Sequence, residues 1–457
     1  MAEWNADNLA GSPVLGAITL VDGSSFCISL PNGDVLPHHP HGVFYRDTRI
    51  LSRWCLAVNG EPLEALGAWT PSPFQGTYLG RAAGDVGRAD STMTVERKRM
   101  VGAGIIEHIT IHNYFREPTR CEVRLSVDAD FADLFEVKGG RFHRHWEKLR
   151  LHERDEVRIE AVWQDVRKGV TVHAPGCTVD AEGVSYQMLI PAYGEWSVRL
   201  VVVPSVEEDN AEDIAQLLHS TPDSPSPQEL RKKAWVETLS VLSIENRSVE
   251  NTILRSRDDI GALRIVDPQR PDRMVVAAGA PWFMALFGRD SLLASFMVLP
   301  VDASLALGTL QTLAERQGSV VDPRTEEQPG KILHEVRFGV NMGVALAGKS
   351  AYYGTVDATP LFVTLLGEVT RWGVAPEDVA MLLPHADRAL DWIREYGDRD
   401  GDGFVEYERL NKQGLVNQGW KDSWMASILL TAAPRNLRLL CVRCRATCTP
   451  PTLRGRG

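Results

Sequence analysis

The hydropathy pattern changes its period once along the chain, and that change limits the architecture more than any single motif. From about 14 to 205, short apolar runs (Ala17 to Val21, Cys27 to Leu30, Ile105 to Ile111, Val198 to Val203) are punctuated by glycine, Asn-Gly, Asp-Gly and proline. Alternation is plain in Glu107-His108-Ile109-Thr110-Ile111-His112 and in Cys121-Glu122-Val123-Arg124-Leu125. Short strands at this spacing predict an antiparallel β-sandwich, with Asn59-Gly60 and Gly139-Gly140 as turns. Residues 206–229 are acidic and then Ser/Pro-rich, as in a linker, with room for a short helix over Ala211 to His219. From about 230 the spacing turns helical. Leu230, Ala234, Val236 and Leu239 begin it, followed by Leu292, Phe296 and Leu299, by Ala306, Leu310 and Leu313, and by Val379, Leu383, Ala386, Leu390 and Ile393. Long polar loops separate these helices, so residues 230–424 are expected to form an all-α domain whose loops carry function.

Two domains suit a chain of 457 residues, which is too long for one ordinary core. At 44% hydrophobic and 24% charged the composition is that of a soluble globular protein. No apolar run reaches transmembrane length, and the opening MAEWNADNLAGSPV lacks the basic end and apolar stretch of a secretory leader. A cytoplasmic location is the expectation. The net charge of −11 argues against nucleic acid or an anionic membrane as partner and suits a neutral ligand such as a sugar. Cys27, Cys55, Cys121 and Cys177 have no ligand spacing and read as small buried hydrophobes in a reducing compartment.

The last 33 residues, 425–457, differ from the rest: six arginines, no Asp, Glu, Lys or His, and three of the seven cysteines. Residues 1–424 carry 43 basic and 60 acidic side chains, a net −17, against +6 for this tail. The tail reads as a shifted reading frame or as otherwise unrelated to the domain it follows. Its Cys441, Cys444 and Cys448 have partial metal-ligand spacing but lack a fourth ligand.

Four segments carry chemistry. Gly279-Ala280-Pro281-Trp282-Phe283 followed by Phe287-Gly288-Arg289-Asp290-Ser291 sets an Arg-Asp pair beside aromatics. Such a pair can bind vicinal hydroxyls while an aromatic ring stacks on the apolar sugar face; it can equally be a helix-capping acid with a salt bridge. Glu326 to Arg337 is a polar loop with a Pro329-Gly330 turn and His334-Glu335, where Glu335 is either a ligand contact or a solvated charge. Tyr352-Tyr353-Gly354-Thr355-Val356-Asp357 leads into a helix, and Thr355 or Asp357 could serve only as its N-cap. Asn417-Gln418-Gly419-Trp420-Lys421-Asp422-Ser423-Trp424 holds a carboxylate between two tryptophans, where desolvation would raise its pKa as a general acid requires, unless Lys421 neutralises it.

Together these segments resemble the bacterial amylo-α-1,6-glucosidase or glycogen-debranching-like glycoside hydrolases, over roughly residues 14–424. Phe44-Tyr45-Arg46-Asp47-Thr48-Arg49-Ile50-Leu51-Ser52-Arg53 resembles that family's N-terminal β-sandwich, and the later part its (α/α)6 toroid. The resemblance implies domains at 14–205 and 230–424, an α-glucan or oligosaccharide partner and no cofactor or metal. It also implies Arg289 and Asp290 as the sugar-gripping pair, Asp422 as general acid, and Trp282, Glu335, Asp357 and Trp420 around the same glucose ring. The two motifs of Arg289-Asp290 and Asp422 should then meet in one cavity. An inverting mechanism needs a second carboxylate about 6.5–9.5 Å from the acid. In the family it lies downstream of the Trp-x-Asp motif, and here no acid follows Asp422. Residues 230–424 also supply only about half of twelve helices. The expectation is a partial toroid and a catalytically dead hydrolase, with bond specificity open between α-1,6 and α-1,4. The alternatives are a non-catalytic carbohydrate-binding or interaction protein, and a chain that folds poorly because half a toroid leaves an apolar face exposed.

Two weaker patterns have bland readings. Asp398-Arg399-Asp400-Gly401-Asp402-Gly403 imitates an EF-hand loop, but Arg409 stands where the bidentate Glu belongs, which favours a structural turn. His38-His39-Pro40-His41 is expected to be surface polarity rather than a metal site.

Overall fold

The computed structural model describes residues 16–84, 91–140, 146–163, 166–205, 225–241, 243–267, 270–336, 351–412 and 414–420. An eight-stranded antiparallel sheet runs edge to edge through Glu147–Glu153, Glu156–Trp163, Val166–His173, Glu195–Ser205, Ile105–Asn113, Met93–Val101, Gln75–Arg81 and Glu64–Ser72. A five-stranded sheet of Thr178–Val179, Gly183–Ile190, Thr119–Asp128, Arg53–Val58 and Glu61–Pro62 packs against it. The inward residues of both sheets, among them Trp54, Val95, Ile109, Ile111, Val123 and Leu125, form one core. Asn59 and Gly60 sit at φ 53° and 83°, the primed turn that two-residue hairpins favour.

A third, four-stranded sheet (Ile18–Asp22, Ser25–Ser29, Gly42–Tyr45, Thr48–Leu51) joins the sandwich to the helices. Strands covered on both faces read as continuous apolar runs rather than alternating ones, as Ser25–Ser29 does. Leu20, Cys27 and Val43 face the sandwich core, while Val21, Phe26, Ile28 and Phe44 join the core of the helical part.

The sandwich core contains charge. Alternation turns Arg97 and Arg99 inward with Val95 and Val101, and Arg99 stands opposite Glu107 in the ladder. The Glu107 carboxylate is fully buried and accepts from Arg97 Nε at 2.6 Å, Arg99 Nε at 2.7 Å and Trp54 Nε1 at 2.9 Å. Arg97 Nη1 also reaches Asp34 at 2.6 Å, and Arg99 Nη2 the Gly33 carbonyl at 2.7 Å. Groups so far from water are tolerated because most of their lone pairs and protons are matched, Arg97 Nη2 being the exception.

Helix α1 (Leu134–Gly139) closes the β part with an Asp133–Glu136 capping box and Gly140 as a left-handed C-cap at φ 61°. The helical part holds α2 (Pro227–Thr238), α3 (Arg247–Ala262), α4 (Gly288–Val298), α5 (Ala303–Glu315), α6 (Ala358–Arg371) and α7 (Pro376–Trp392). The α4–α5 and α6–α7 pairs are helical hairpins with α4 against α6, their apolar faces meeting through Leu292, Leu310, Phe362 and Leu366. Trp235 of α2 donates to Asp302, the N-cap of α5, at 2.7 Å. The helical part is not purely α: Arg264–Asp267 pairs with Arg270–Val276, and a three-stranded sheet described below lies among the loops. Among the described residues no helix is long and apolar enough to cross a membrane.

The histidine segment departs from expectation. His38 and His39 are exposed, but His41 is fully buried, its ring stacked 5.2 Å from His39 and the carbonyls of both bound by Arg49 Nη1. Burial, then the His39 and Arg49 charges, lower the His41 pKa to about 4, so it is a neutral core residue. The acidic loop folds as a turn with Gly401 and Gly403 left-handed. Its three carboxylates approach within 4.8 Å, each accepting from an amide of the turn (Asp398 from Gly403, Asp400 from Asp402, Asp402 from Phe404), while Arg409 donates to the Asn411 and Lys412 carbonyls. Cys27 and Cys121 are buried, and Cys55 and Cys177 only half-buried. The 211–219 segment and Cys441, Cys444 and Cys448 lie outside the described residues.

Candidate active site

Three of the four sequence segments meet in a short sheet. Leu286–Phe287, Glu335–Val336 and Ala351–Tyr352 pair in that order, with Glu335 opposite Phe287 on one side and Tyr352 on the other. The Gly288 amide then donates to His334 O at 2.8 Å, and the His334 amide to Tyr352 O at 2.7 Å. Gly288 starts α4 where a Cβ would lie 2.1 Å from Leu333 O and 2.8 Å from Ala358 Cβ. Overpacking against backbone forces a shift of the chain. Gly288→Ala is therefore expected to destabilise the chain by about 2–3 kcal/mol, read as a lower midpoint in urea; an unchanged midpoint would contradict this packing.

The helix begun there presents Arg289. Its side chain is 9% exposed, and Nη1 donates to Asp357 Oδ2 at 3.0 Å and to the Gly419 carbonyl at 2.9 Å. Asp357 occupies the N-cap position of α6 but makes no capping bond. Its carboxylate takes Arg289 on one oxygen and the Thr355 hydroxyl, at 2.6 Å, on the other. The capping alternative thus gives way to a buried Arg–Asp–Thr junction. Asp290 lies one residue on, with its side chain 42% exposed and 3.7 Å from Arg289 Nε.

The fourth segment arrives on a strap, residues 404–412 and 414–420, tied down at spaced points. Both oxygens of Glu326, itself 1% exposed and left-handed at φ 61°, receive the amides of Leu410 and Asn411 at 2.8–3.2 Å. The Tyr352 hydroxyl receives the Leu415 amide at 3.0 Å. Val356 N donates to Gln418 O at 2.8 Å, one residue before the carbonyl that Arg289 binds. Val405 and Tyr407 pack on Trp392 and Val356. Glu326 and Tyr352 stood in the sequence motifs without an assigned role; their partners are backbone amides more than sixty positions away.

Beneath the strap Lys331 is buried, donating to Glu326 O at 3.2 Å with its ammonium 5.5 Å from the Trp392 ring centre. Burial lowers its pKa to about 8 against the opposing pull of Glu326. Below pH 8 Lys331 is protonated in both folded and unfolded chains, so stability carries the full desolvation penalty. Between about 8 and 10.4 the unfolded chain holds the proton that the folded chain has released, and stability rises with pH. The rise is expected to be on the order of 3 kcal/mol and to vanish in Lys331→Met, measured by urea unfolding at pH 7.5 and 10.

Aromatic rings line the short sheet. Phe283, Phe287, His334 and Tyr352 form a row of edge-to-face contacts at 5.5–5.9 Å. Trp282 is 6% exposed and wedged edge-on against Phe26 and Phe44 of the four-stranded sheet, so its indole is committed largely to the contact between the two parts. Lys138 from α1 sets its ammonium 4.6 Å from the Phe283 ring centre, a contribution of the β part for which the sequence holds no signal. Trp420 is 56% exposed at the end of the strap. Arg289, Asp290, Asp357 and the backbone beside Trp420 are thus brought together, with Glu335 on the strand paired to Phe287, two residues before Arg289; Arg337, Lys421, Asp422 and Trp424 lie outside the described residues.

Residues 20–201 match the family model of the N-terminal domain of some glycogen debranching enzymes. Those residues are similar to that domain. Beyond that domain the likeness is one of fold. A protein described as a kojibiose phosphorylase from the human microbiome superposes with a TM-score of 0.52 at 10% identity, over 85% of this chain and 58% of its own length. This chain therefore spans little more than half the length of that protein. Weaker likenesses are to a glycosyl hydrolase of the GH92 family (TM-score 0.36, 10% identity, 89% of this chain and 66% of that one) and to a galactose mutarotase-like protein from Clostridium acetobutylicum (TM-score 0.25, 5% identity, 42% and 95%). No curated protein sequence matches the chain.

Proposed function

We propose that this chain is a glycoside hydrolase of the amylo-α-1,6-glucosidase type by descent, whose site takes one glucose residue of an α-glucan. The single observation that supports it is the convergence of Arg289, Asp357 and the Gly419–Trp420 backbone, which neither sequence proximity nor helix capping requires. Arg289 and Asp290 offer charge-assisted hydrogen bonds to vicinal hydroxyls, and Trp420 and Phe283, both exposed, offer apolar ring surface. Asp422, two residues past Trp420, is the general acid of this reading, with Glu335 and Asp357 holding the ring.

Glycosidic hydrolysis with inversion also needs a carboxylate to activate water on the opposite face of the sugar. Residues 423–457 contain no Asp or Glu. By the family resemblance that carboxylate follows the acid, so we expect a polypeptide of these 457 residues, taken by itself, to bind α-glucans without turning them over, which is also what a non-catalytic carbohydrate-binding protein would do. The purified chain is to be assayed on maltooligosaccharides and α-1,6-branched glucans by reducing-sugar release and by calorimetry. Binding without release supports the proposal. Release that disappears in Asp422→Asn defeats the inactive reading and keeps the site; neither binding nor release defeats both.

A further inference from the structure

The outer face of the eight-stranded sheet carries a feature that the candidate active site does not use. Along Ile105–Asn113 alternation sends Ile109, Ile111 and Asn113 into the core and leaves Thr110 and His112 outside. Thr94 and Glu195 stand opposite His112, and Glu96 and Ser197 opposite Thr110. His112 Nδ1 lies 3.1 Å from Glu195 Oε2, and the imidazole stacks on Tyr114 at 6.1 Å and 29°.

Beyond the last ladder pair the two neighbouring turns are laced together. Asn113 N donates to Gly194 O at 2.9 Å and Tyr193 N to Phe115 O at 3.1 Å. The Asn113 side chain, 1% exposed, donates to the carbonyls of Glu117, Ile190 and Pro191 and accepts from Phe115 N at 3.0 Å. This frame holds two phenol rings out into solvent: Tyr114 is 61% and Tyr193 75% exposed. Tyr193 adopts φ +54°, a conformation that a bulky side chain adopts at a cost and a glycine does not.

We propose that Tyr114, Tyr193 and the His112–Glu195 pair form a second carbohydrate-binding surface, which takes a run of neutral sugar rings from an α-glucan chain. Exposed aromatic faces stack on the C–H faces of pyranoses. The Thr94, Thr110 and Ser197 hydroxyls and the imidazole–carboxylate pair supply donors and acceptors for sugar hydroxyls beside them. Because the Asn113 frame holds both turns in place, little further ordering is needed on binding. The ladder positions facing Thr110 and His112 hold hydroxyls and carboxylates and no Lys or Arg, which disfavours a polyanion. A protein interface would need about 800 Å² on each partner with an apolar centre, and the outward ladder positions that lead up to the two rings hold Thr, Ser, His and Glu. Only the choice of glucan as the sugar rests on the function proposed above.

The test is affinity electrophoresis of the full chain in gels containing soluble glycogen, with calorimetry on maltoheptaose. The variants are Tyr193→Gly, Tyr114→Ala, the double variant and, at the candidate active site, Arg289→Lys. Tyr193→Gly removes the ring and the backbone strain together, so its melting temperature is expected to hold or rise while the apparent Kd for glycogen weakens at least fivefold. The double variant should weaken it further, and Arg289→Lys should keep part of the glycogen retention. Retention unchanged in both tyrosine variants overturns the surface, and if it is lost in Arg289→Lys the active-site reading still stands. Retention lost in the tyrosine variants but kept in Arg289→Lys supports the surface alone. A tyrosine variant that changes sedimentation and not glycogen retention marks a protein contact and overturns it too.

Discussion

Glu107→Ala is expected to destabilise the β-sandwich by about 3–5 kcal/mol, the range for removing one partner of a buried ion pair. The carboxylate is fully buried between two fully buried guanidinium groups. Without it Arg97 keeps only Asp34 as a counter-charge, and Arg99 keeps no carboxylate at all. Glu107→Gln preserves the shape but points an amide at two cations, so it should fall in the same direction. The assembly as a whole is another matter, since desolvation offsets much of what the four charges, Asp34 included, gain. Replacing Arg97, Arg99, Glu107 and Asp34 together with Met, Met, Leu and Asn, which leaves none of the four charges unpaired, should therefore recover most of the loss. A single Glu107→Ala that costs less than about 1 kcal/mol in equilibrium urea unfolding would remove the case for this cluster as a determinant of the fold.

The same group predicts an acid limb. Burial alone would raise the Glu107 pKa, but Arg97 and Arg99 hold it down at about 2. The unfolded chain takes up this proton near pH 4.3, before the folded chain does. The stabilisation is complete above about pH 5 and is lost as pH falls toward 2. Glu107→Gln should flatten that part of the stability–pH curve.

Why this cluster escapes a reading of the sequence is instructive. Glu96-Arg97-Lys98-Arg99 looks like a solvated charge run, and only strand alternation between Val95 and Val101 reveals that every second member faces inward. The hydrophobic pattern was sufficient for the strands around it, because Ile105–Asn113 and Glu195–Ser205 bury one face of a sheet. It was sufficient again for α4, α5 and α7, whose apolar positions line a core, although Phe296 and Leu383 prove more than 40% exposed. It is weak for α3, where Ala262 is the one residue fully buried and the stripe at helical spacing (Glu250, Ile253, Leu254, Arg257, Asp258, Gly261) is half-buried and mixes charged with apolar side chains. The site residues were visible as chemical types, but their grouping was not. Asp357 reads as an N-cap until its partner 68 positions away is known, and Glu326 reads as one acid of a polar loop until Leu410, 84 positions on, is seen to donate to it. Long-range pairing of side chain to backbone leaves no periodicity behind.

Arg289 is where the structural and functional claims can be separated. Arg289→Ala leaves the Asp357 carboxylate, 9% exposed, without its cation and the Gly419 carbonyl without its donor. The expected loss of stability is about 3 kcal/mol, at the lower end for a broken buried pair because Thr355 still supports the carboxylate. Arg289→Lys keeps the charge, but a point ammonium lacks the planar fork that serves Asp357 and Gly419 while facing Asp290. It should lose only about 1 kcal/mol of stability yet weaken maltooligosaccharide binding at the candidate site at least tenfold. A purely structural Arg289 predicts the opposite relation, in which glucan affinity measured well below the melting temperature is unchanged in Arg289→Lys and falls only with the folded fraction in Arg289→Ala. Hydrogen exchange adds an independent reading. Loss of the Gly419 contact should deprotect the Val356 amide, which is bound to Gln418, while the Leu410 and Asn411 amides held by Glu326 stay protected. If all three exchange together, the strap opens as one unit and Arg289 is its latch; if only Val356 responds, Glu326 anchors the strap independently and Arg289 holds its site-proximal end alone.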